Sequence, residues 1–145
     1  MNSPRDAEKM QLTRESEHAL AALEFLIAQP PGEFVALAEI AEARDLPRAF
    51  LAKTFQKLAR HDVLLSSRGR SKGYTLARPA DSISVLDVFV AVEGPRLLQR
   101  CTLWPTRCSS DNPCPLHPFL KGHIRTLEER LGEISIADLC TVEVR

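Results

Sequence analysis

The order of elements between Leu37 and Leu76 limits the fold most. A short stretch with Leu37, Ile40 and Ala41 on one side predicts a helix over about 37–44. Asp45-Leu46-Pro47 then reads as a tight turn, with Pro47 suited to the first position of a second helix. That helix is expected to reach about His61 and to bury Phe50, Leu51, Phe55 and Leu58. Its other face presents Lys53, Gln56, Lys57 and Arg60 at i, i+3, i+4 and i+7. Two β-prone runs, 63–67 and 74–76, follow around the loop Arg68-Gly69-Arg70-Ser71-Lys72-Gly73. Helix, turn, helix and basic hairpin in that order describe a winged helix-turn-helix, whose second helix fits a DNA major groove. Arg68, Arg70 and Lys72 are then placed for phosphates or a minor groove.

Charge agrees with that order. The 145 residues have a formal net charge of +0, yet residues 44–78 hold nine basic side chains, Arg48 among them, against Asp45 and Asp62. The rest of the chain is acidic by the same margin, so a polyanion-binding face on an acidic body is expected. A set of surface charges that balance in three dimensions is the alternative. Hydrophobic residues at 44% and charged residues at 26% permit a packed core and argue against general disorder. Every apolar run is broken by charge, and the N-terminal MNSPRDAEKM lacks an apolar signal core. A cytoplasmic protein without a membrane partner is expected.

Elsewhere the pattern is helical. Thr13 can cap a helix whose first turn carries Glu15 and Glu17 and whose body, Ala19 to Ala28, is apolar until Pro30-Pro31-Gly32. Ser84-x-x-Asp87 reads as a capping box for a helix from Val85 to about Val92. Four prolines and three cysteines make 94–117 mostly loop. From Pro118 the helical period returns, with Leu120, Ile124, Leu127 and Leu131 as an a/d-type seam for a partner helix or for the chain's own domain. Gly132 is expected to end that helix, and Ser135-x-x-Asp138 to cap a last turn. The expected organisation is a tail at 1–9, a winged-helix domain at 10–93, a loop at 94–117 and a dimerisation helix with C-terminal segment at 118–145. The fold class is mainly α, with a small β-hairpin wing.

Cys101-x6-Cys108-x5-Cys114-x2-His117 is the one constellation with site chemistry. In a reducing compartment, clustered thiols read as metal or cluster ligands before disulfides. An iron–sulfur cluster, a Cys3His zinc site and redox-active free thiols all suit this spacing. His117 precedes Pro118 and is expected to act as the helix N-cap. Cys140, standing apart, reads as a small buried residue. A Cys–His hydrolase lacks any oxyanion-hole or orienting motif here, so no enzyme is expected.

Several segments carry a family resemblance: Gln11-Leu12-Thr13, Ser67-Arg68-Gly69 with Gly73-Tyr74, Leu76-Ala77-Arg78-Pro79, Val92-Glu93-Gly94-Pro95, Cys114-Pro115-Leu116-His117 and Ile136-Ala137-Asp138-Leu139. From Met10 onward the chain resembles the IscR/NsrR group of winged-helix transcriptional regulators, the Rrf-two family. The resemblance implies a homodimer on palindromic double-stranded DNA operators. It also implies an iron–sulfur cluster on Cys101, Cys108 and Cys114. Members with a histidine ligand and a 2Fe–2S cluster resemble this chain at Cys-x2-His, which implies His117 as fourth ligand. Others use an acidic residue from the partner's first helix, and Glu17 matches that position; a 4Fe–4S cluster is the alternative to 2Fe–2S. The chain departs from the group by six residues, where five are usual, between its first two cysteines. It also has Ala52 where some members carry an acidic operator-selecting residue. The expected function is a regulator whose operator affinity follows redox, nitric oxide or iron–sulfur status. The alternative is a zinc-stabilised or cluster-free regulator that binds a metabolic enzyme.

Overall fold

Thr13 leaves helical geometry and its hydroxyl accepts from the Ser16 amide, which starts α1, Arg14–Ile27. In the computed structural model, which describes residues 13–69, 72–95, 98, 101, 103–104 and 106–141, α1 is followed by α2 (Leu37–Ala43) and α3 (Arg48–Arg60). Strands β1 (Leu64–Ser67) and β2 (Gly73–Leu76), a 3-10 turn at Ala80–Ser82, and helices α4 (Val85–Glu93), α5 (His117–Glu133) and α6 (Ile136–Cys140) complete it. The expected tail at 1–9, Gln11-Leu12 and the wing's Arg70 lie outside the described residues.

Both helices of the helix-turn-helix stop in the same way. After α2, Asp45 takes φ 50°, and the amides of Leu46 and Asp45 bond the carbonyls of Ala41 (2.8 Å) and Glu42 (3.2 Å). After α3, Asp62 takes φ 57°, and the amides of Val63 and Asp62 bond Leu58 (3.0 Å) and Ala59 (3.3 Å). These are Schellman caps with aspartate in the left-handed position, where a short polar side chain is tolerated. Each hands an apolar residue, Leu46 or Val63, back to the core. Pro47 therefore serves as N-cap of α3 rather than as its first helical residue.

The wing pairs β1 with β2 antiparallel, Leu64 opposite Leu76 and Ser67 opposite Gly73. Val35 adds a third, one-residue strand: its amide and carbonyl exchange 2.9 Å bonds with Tyr74. Gly73 permits that approach, because a Cβ there would sit 2.4 Å from the Val35 carbonyl oxygen. Gly73→Ala is therefore expected to cost roughly 1–3 kcal/mol, the usual penalty of overpacking. A urea midpoint equal to that of the wild type would show that the 35–36 backbone yields freely.

One core joins all layers. Leu23 and Leu26 of α1, Ile40 of α2, Leu51, Phe55 and Leu58 of α3, Val88 and Phe89 of α4, and Ile136 of α6 are buried together. Phe55 meets the Tyr74 ring edge-on at 4.9 Å. The expectation that Phe50 is buried is corrected. The α3 stripe is Leu51, Thr54, Phe55 and Leu58, so Phe50 falls on its flank, 37% exposed, with its ring against His18 at 5.4 Å.

Two capping boxes, Ser84–Asp87 and Ser135–Asp138, sit side by side. The Val85 amide bonds Ile134 and the Ile136 amide bonds Ile83, which pins the end of α5 to the start of α4. The expected stop at Gly132 is corrected: α5 runs through Glu133, and the turn to extended backbone at Ile134, imposed by that pairing, ends it. His117 is likewise the first helical residue, and Leu116 stands at the N-cap.

Candidate metal centre and nucleic-acid interface

The exposed surface of the winged helix carries most of the basic block. Lys53, Gln56 and Arg60 of α3 are exposed, as are Arg48 in its first turn and Arg68 and Lys72 in the wing. A cation in the first helical turn opposes the helix dipole, so Arg48 gains nothing there locally. None of these five cations has a carboxylate within ion-pair distance among the described residues.

Three basic residues of the block are used inside the fold. Arg44 pairs with Glu24 at 3.4 Å. Arg78 donates to the carbonyls of Asp62 and Ser82 and pairs with Asp87, which stitches the wing's exit to α4. Lys57 is turned towards α1, with its ammonium 2.8 Å from Glu15. The sequence reading of Lys57 as part of the outward face therefore misses its partner. Glu15 and Thr54 escaped it too. The usable signal is Thr54, a hydroxyl at a core position of the α3 stripe, which needs a buried acceptor.

The loop after α4 brings its thiols together. The ligand atoms of Cys101, Cys108 and Cys114 all lie within 4.8 Å of one another, with Cys101 and Cys114 Sγ 3.7 Å apart. Cys101 is buried and the other two are half-buried. A turn holds them: the Cys108 and Arg107 amides bond the Trp104 carbonyl at 2.9 and 3.2 Å. The Trp104 amide in turn donates to Cys101 Sγ at 3.5 Å, and the Cys114 amide to Cys108 Sγ at 3.3 Å. Amides aimed at sulfur stabilise thiolates, the form in which cysteine binds metals and clusters. His117 borders the group, with Nδ1 3.2 Å from Cys108 Sγ. Glu17 is exposed on α1. Cys140 is half-buried, where burial, then Glu24, raise its thiol above the usual range.

The thiols ionise unequally. Cys101 is lowered, first by the Trp104 amide and against its burial, with help from the Leu103 amide and the neighbouring thiols. Cys108 is raised: the Cys114 amide lowers it, but burial and the thiols of Cys114 and Cys101 together outweigh that bond. The donor set thus fits a thiolate-bound metal or cluster. In the metal-free chain the first thiolate to form as pH rises is expected at Cys101. Ultraviolet thiolate absorbance should lose its lowest-pH step in Cys101→Ser and keep it in Cys108→Ser.

Of the far seam, Leu120, Ile124 and Leu127 are half-exposed, while Leu131 packs partly against the chain's own core. No residue of α5 is buried, and Phe119 is 63% exposed. No described helix is long and apolar enough to cross a membrane.

Comparison with known proteins agrees with this architecture. The Rrf2 family, described as an iron-dependent transcriptional regulator, matches residues 12–142. A candidate HTH-type transcriptional regulator of Aquifex aeolicus is 31% identical over 128 residues, covering 87% of this chain and 88% of that protein. Among solved structures, the global cysteine regulator CymR of B. subtilis superposes with a TM-score of 0.69 at 20% identity, over 92% of this chain and 98% of that one. T. potens IscR superposes with a TM-score of 0.68 at 22% identity, over 93% and 89%. The family match and the shared fold are those of transcriptional regulators rather than of an enzyme, and this chain belongs to the Rrf2 family of transcriptional regulators.

Proposed function

We propose that the chain acts as a homodimer that binds a palindromic operator and whose affinity is set by an iron–sulfur cluster, 2Fe–2S in the first instance, held in the loop of 101–117. The observation that carries this reading is the group of three sulfurs within 4.8 Å of one another, two of them receiving backbone N–H bonds. Cys101, Cys108 and Cys114 would hold the cluster, with His117 as fourth ligand and Glu17 of the partner subunit as the alternative. When bound, the cluster supplies a cross-link that redox change, nitric oxide or iron supply can alter.

The chain's own residues turn that state into geometry. The loop leaves α4, a core helix of the winged domain, and delivers the chain into α5. The far end of α5 is pinned at Ile134–Ile136, so reordering the loop moves the His117 end while the Glu133 end holds. In a dimer built on α5, that motion changes the spacing of the two α3 helices. Half-sites demand about 34 Å, one DNA turn, so a small change in spacing alters affinity. A coupling of ~1–3 kcal/mol gives roughly 5–150-fold. Arg48, Lys53, Gln56 and Arg60, with Arg68, Arg70 and Lys72, supply the contacts to DNA in this reading.

Protein purified without oxygen tests it. Iron and sulfide should accompany the chain, with visible absorption, and Cys101→Ala, Cys108→Ala and Cys114→Ala should each remove them. Trp104, the only tryptophan, should be quenched in the loaded chain and bright in those variants. Colourless protein with one zinc per chain would overturn the cluster.

A further inference from the structure

Where α1, α3 and the end of α4 meet, a set of polar side chains has no part in the reading above. Lys57 Nζ lies 2.8 Å from Glu15 Oε1 and donates to the Val92 carbonyl at 3.3 Å. Thr54, fully buried on α3, places its hydroxyl 3.1 Å from the same Glu15 oxygen and 3.2 Å from the Phe50 carbonyl. At the next residue of α1, the fully buried Ser16 donates to Glu93 Oε1 at 2.6 Å, and Thr13 donates to that oxygen as well. Val92 and Glu93 are the last two residues of α4, and the next residue leads towards the cysteine loop.

These bonds supply something the core does not. The stripe Leu51, Phe55 and Leu58 presses α3 onto its neighbours, but the hydrophobic attraction itself is non-directional. Hydrogen bonds to a charged group are directional and short. An ammonium held by a carboxylate on α1 and a carbonyl on α4 fixes the roll of α3 against both. The same ammonium would have to leave both partners to reach a phosphate, and Glu15 cancels its charge locally.

We propose that Lys57 is a positioning residue of the DNA-reading helix and not a phosphate contact. With Glu15 it locks the roll of α3 to α1 and to the end of α4, so that the root of the cysteine loop and the reading helix move as one body. The proposal rests on α3 as the helix that reads DNA.

Selection from a randomised duplex pool with the wild-type full chain gives the probe, and a scrambled duplex of equal length gives the control. Lys57→Met and Glu15→Gln should each weaken binding to the enriched duplex by about fivefold or more, leaving affinity for the scrambled duplex and both salt slopes unchanged. The double variant should be no worse than either single one, and Lys57→Arg should restore discrimination. Retained binding to the scrambled duplex certifies that each variant is folded. A salt slope shallower by about 0.9 for each protomer bound in Lys57→Met, with tighter binding in Glu15→Gln, would make Lys57 a phosphate contact and overturn the proposal. Variants that discriminate like the wild type would overturn it as well. A pool from which the wild-type chain enriches nothing overturns the reading of α3, and the lock with it.

Discussion

Replacing Arg68 and Lys72 together by alanine is expected to weaken operator binding steeply and to make it less sensitive to salt. Both cations flank the wing turn, are exposed, and have no carboxylate partner among the described residues. Among the described residues, nothing therefore competes with a phosphate for them. Each phosphate neutralised releases counterions, and the log–log salt slope changes by about 0.9 per contact. Two lost contacts should flatten that slope by about 1.8 for each protomer bound. A hydrogen bond to a charged group is worth roughly 1.5–3 kcal/mol, so the pair should account for a factor of ~100 or more at fixed low salt. Stability should hardly move, because neither side chain packs on the core. A double variant with wild-type affinity and slope would remove the wing from the interface. Loss of affinity at an unchanged slope would instead indicate a displaced wing.

The fold was legible where local chemistry and tertiary need agree. The two capping boxes, the α2–α3 turn and the hairpin all follow from short patterns, and the structure realises each one. Phe50 and Gly132 are misread for separate reasons. A hydrophobic count puts every large apolar residue of a helix inside, but a 3.6-residue period leaves one flank of α3 half-covered. A glycine ends a helix by taking the left-handed C′ position; Gly132 stays helical, and the Ile134–Val85 pairing ends α5 instead. Contacts between residues distant in sequence are invisible to periodicity, as Val35 beside Tyr74 shows.

The candidate site divides in the same way. The cysteine spacing announced a group of ligands, and proximity of the three sulfurs follows it. What spacing could not carry is the order of ionisation, set by which sulfur receives which amide. The basic block was legible as charge but not as function. Arg44, Lys57 and Arg78 are drawn into ion pairs by acids 20, 42 and 9 residues away in sequence. Counting charge finds a face; only the partners decide which charges remain available to it.

Ile124→Glu is expected to convert a dimer into monomers and, with that, to abolish tight operator binding. In the single chain Ile124 is half-exposed on α5, a helix with no buried residue, so a carboxylate there stays solvated and the fold should survive. Leu120 and Leu127 extend that half-exposed apolar face on either side of Ile124, and Leu116 at the N-cap is 45% exposed. If a second copy covers that face, the introduced carboxylate is buried without a partner, at a cost of several kcal/mol. A monomer reads one half-site and loses the gain of simultaneous engagement, roughly 10²–10⁴ in affinity. Sedimentation should show the halved mass, and thermal unfolding should become independent of protein concentration. Leu120→Glu, one turn nearer the cysteine loop on the same face, should act in the same direction. Leu131→Glu should instead lower stability, because that side chain packs against its own core. A variant at Ile124 that still sediments as a dimer would move the interface off this face of α5, and the lever from loop to operator spacing would fall with it.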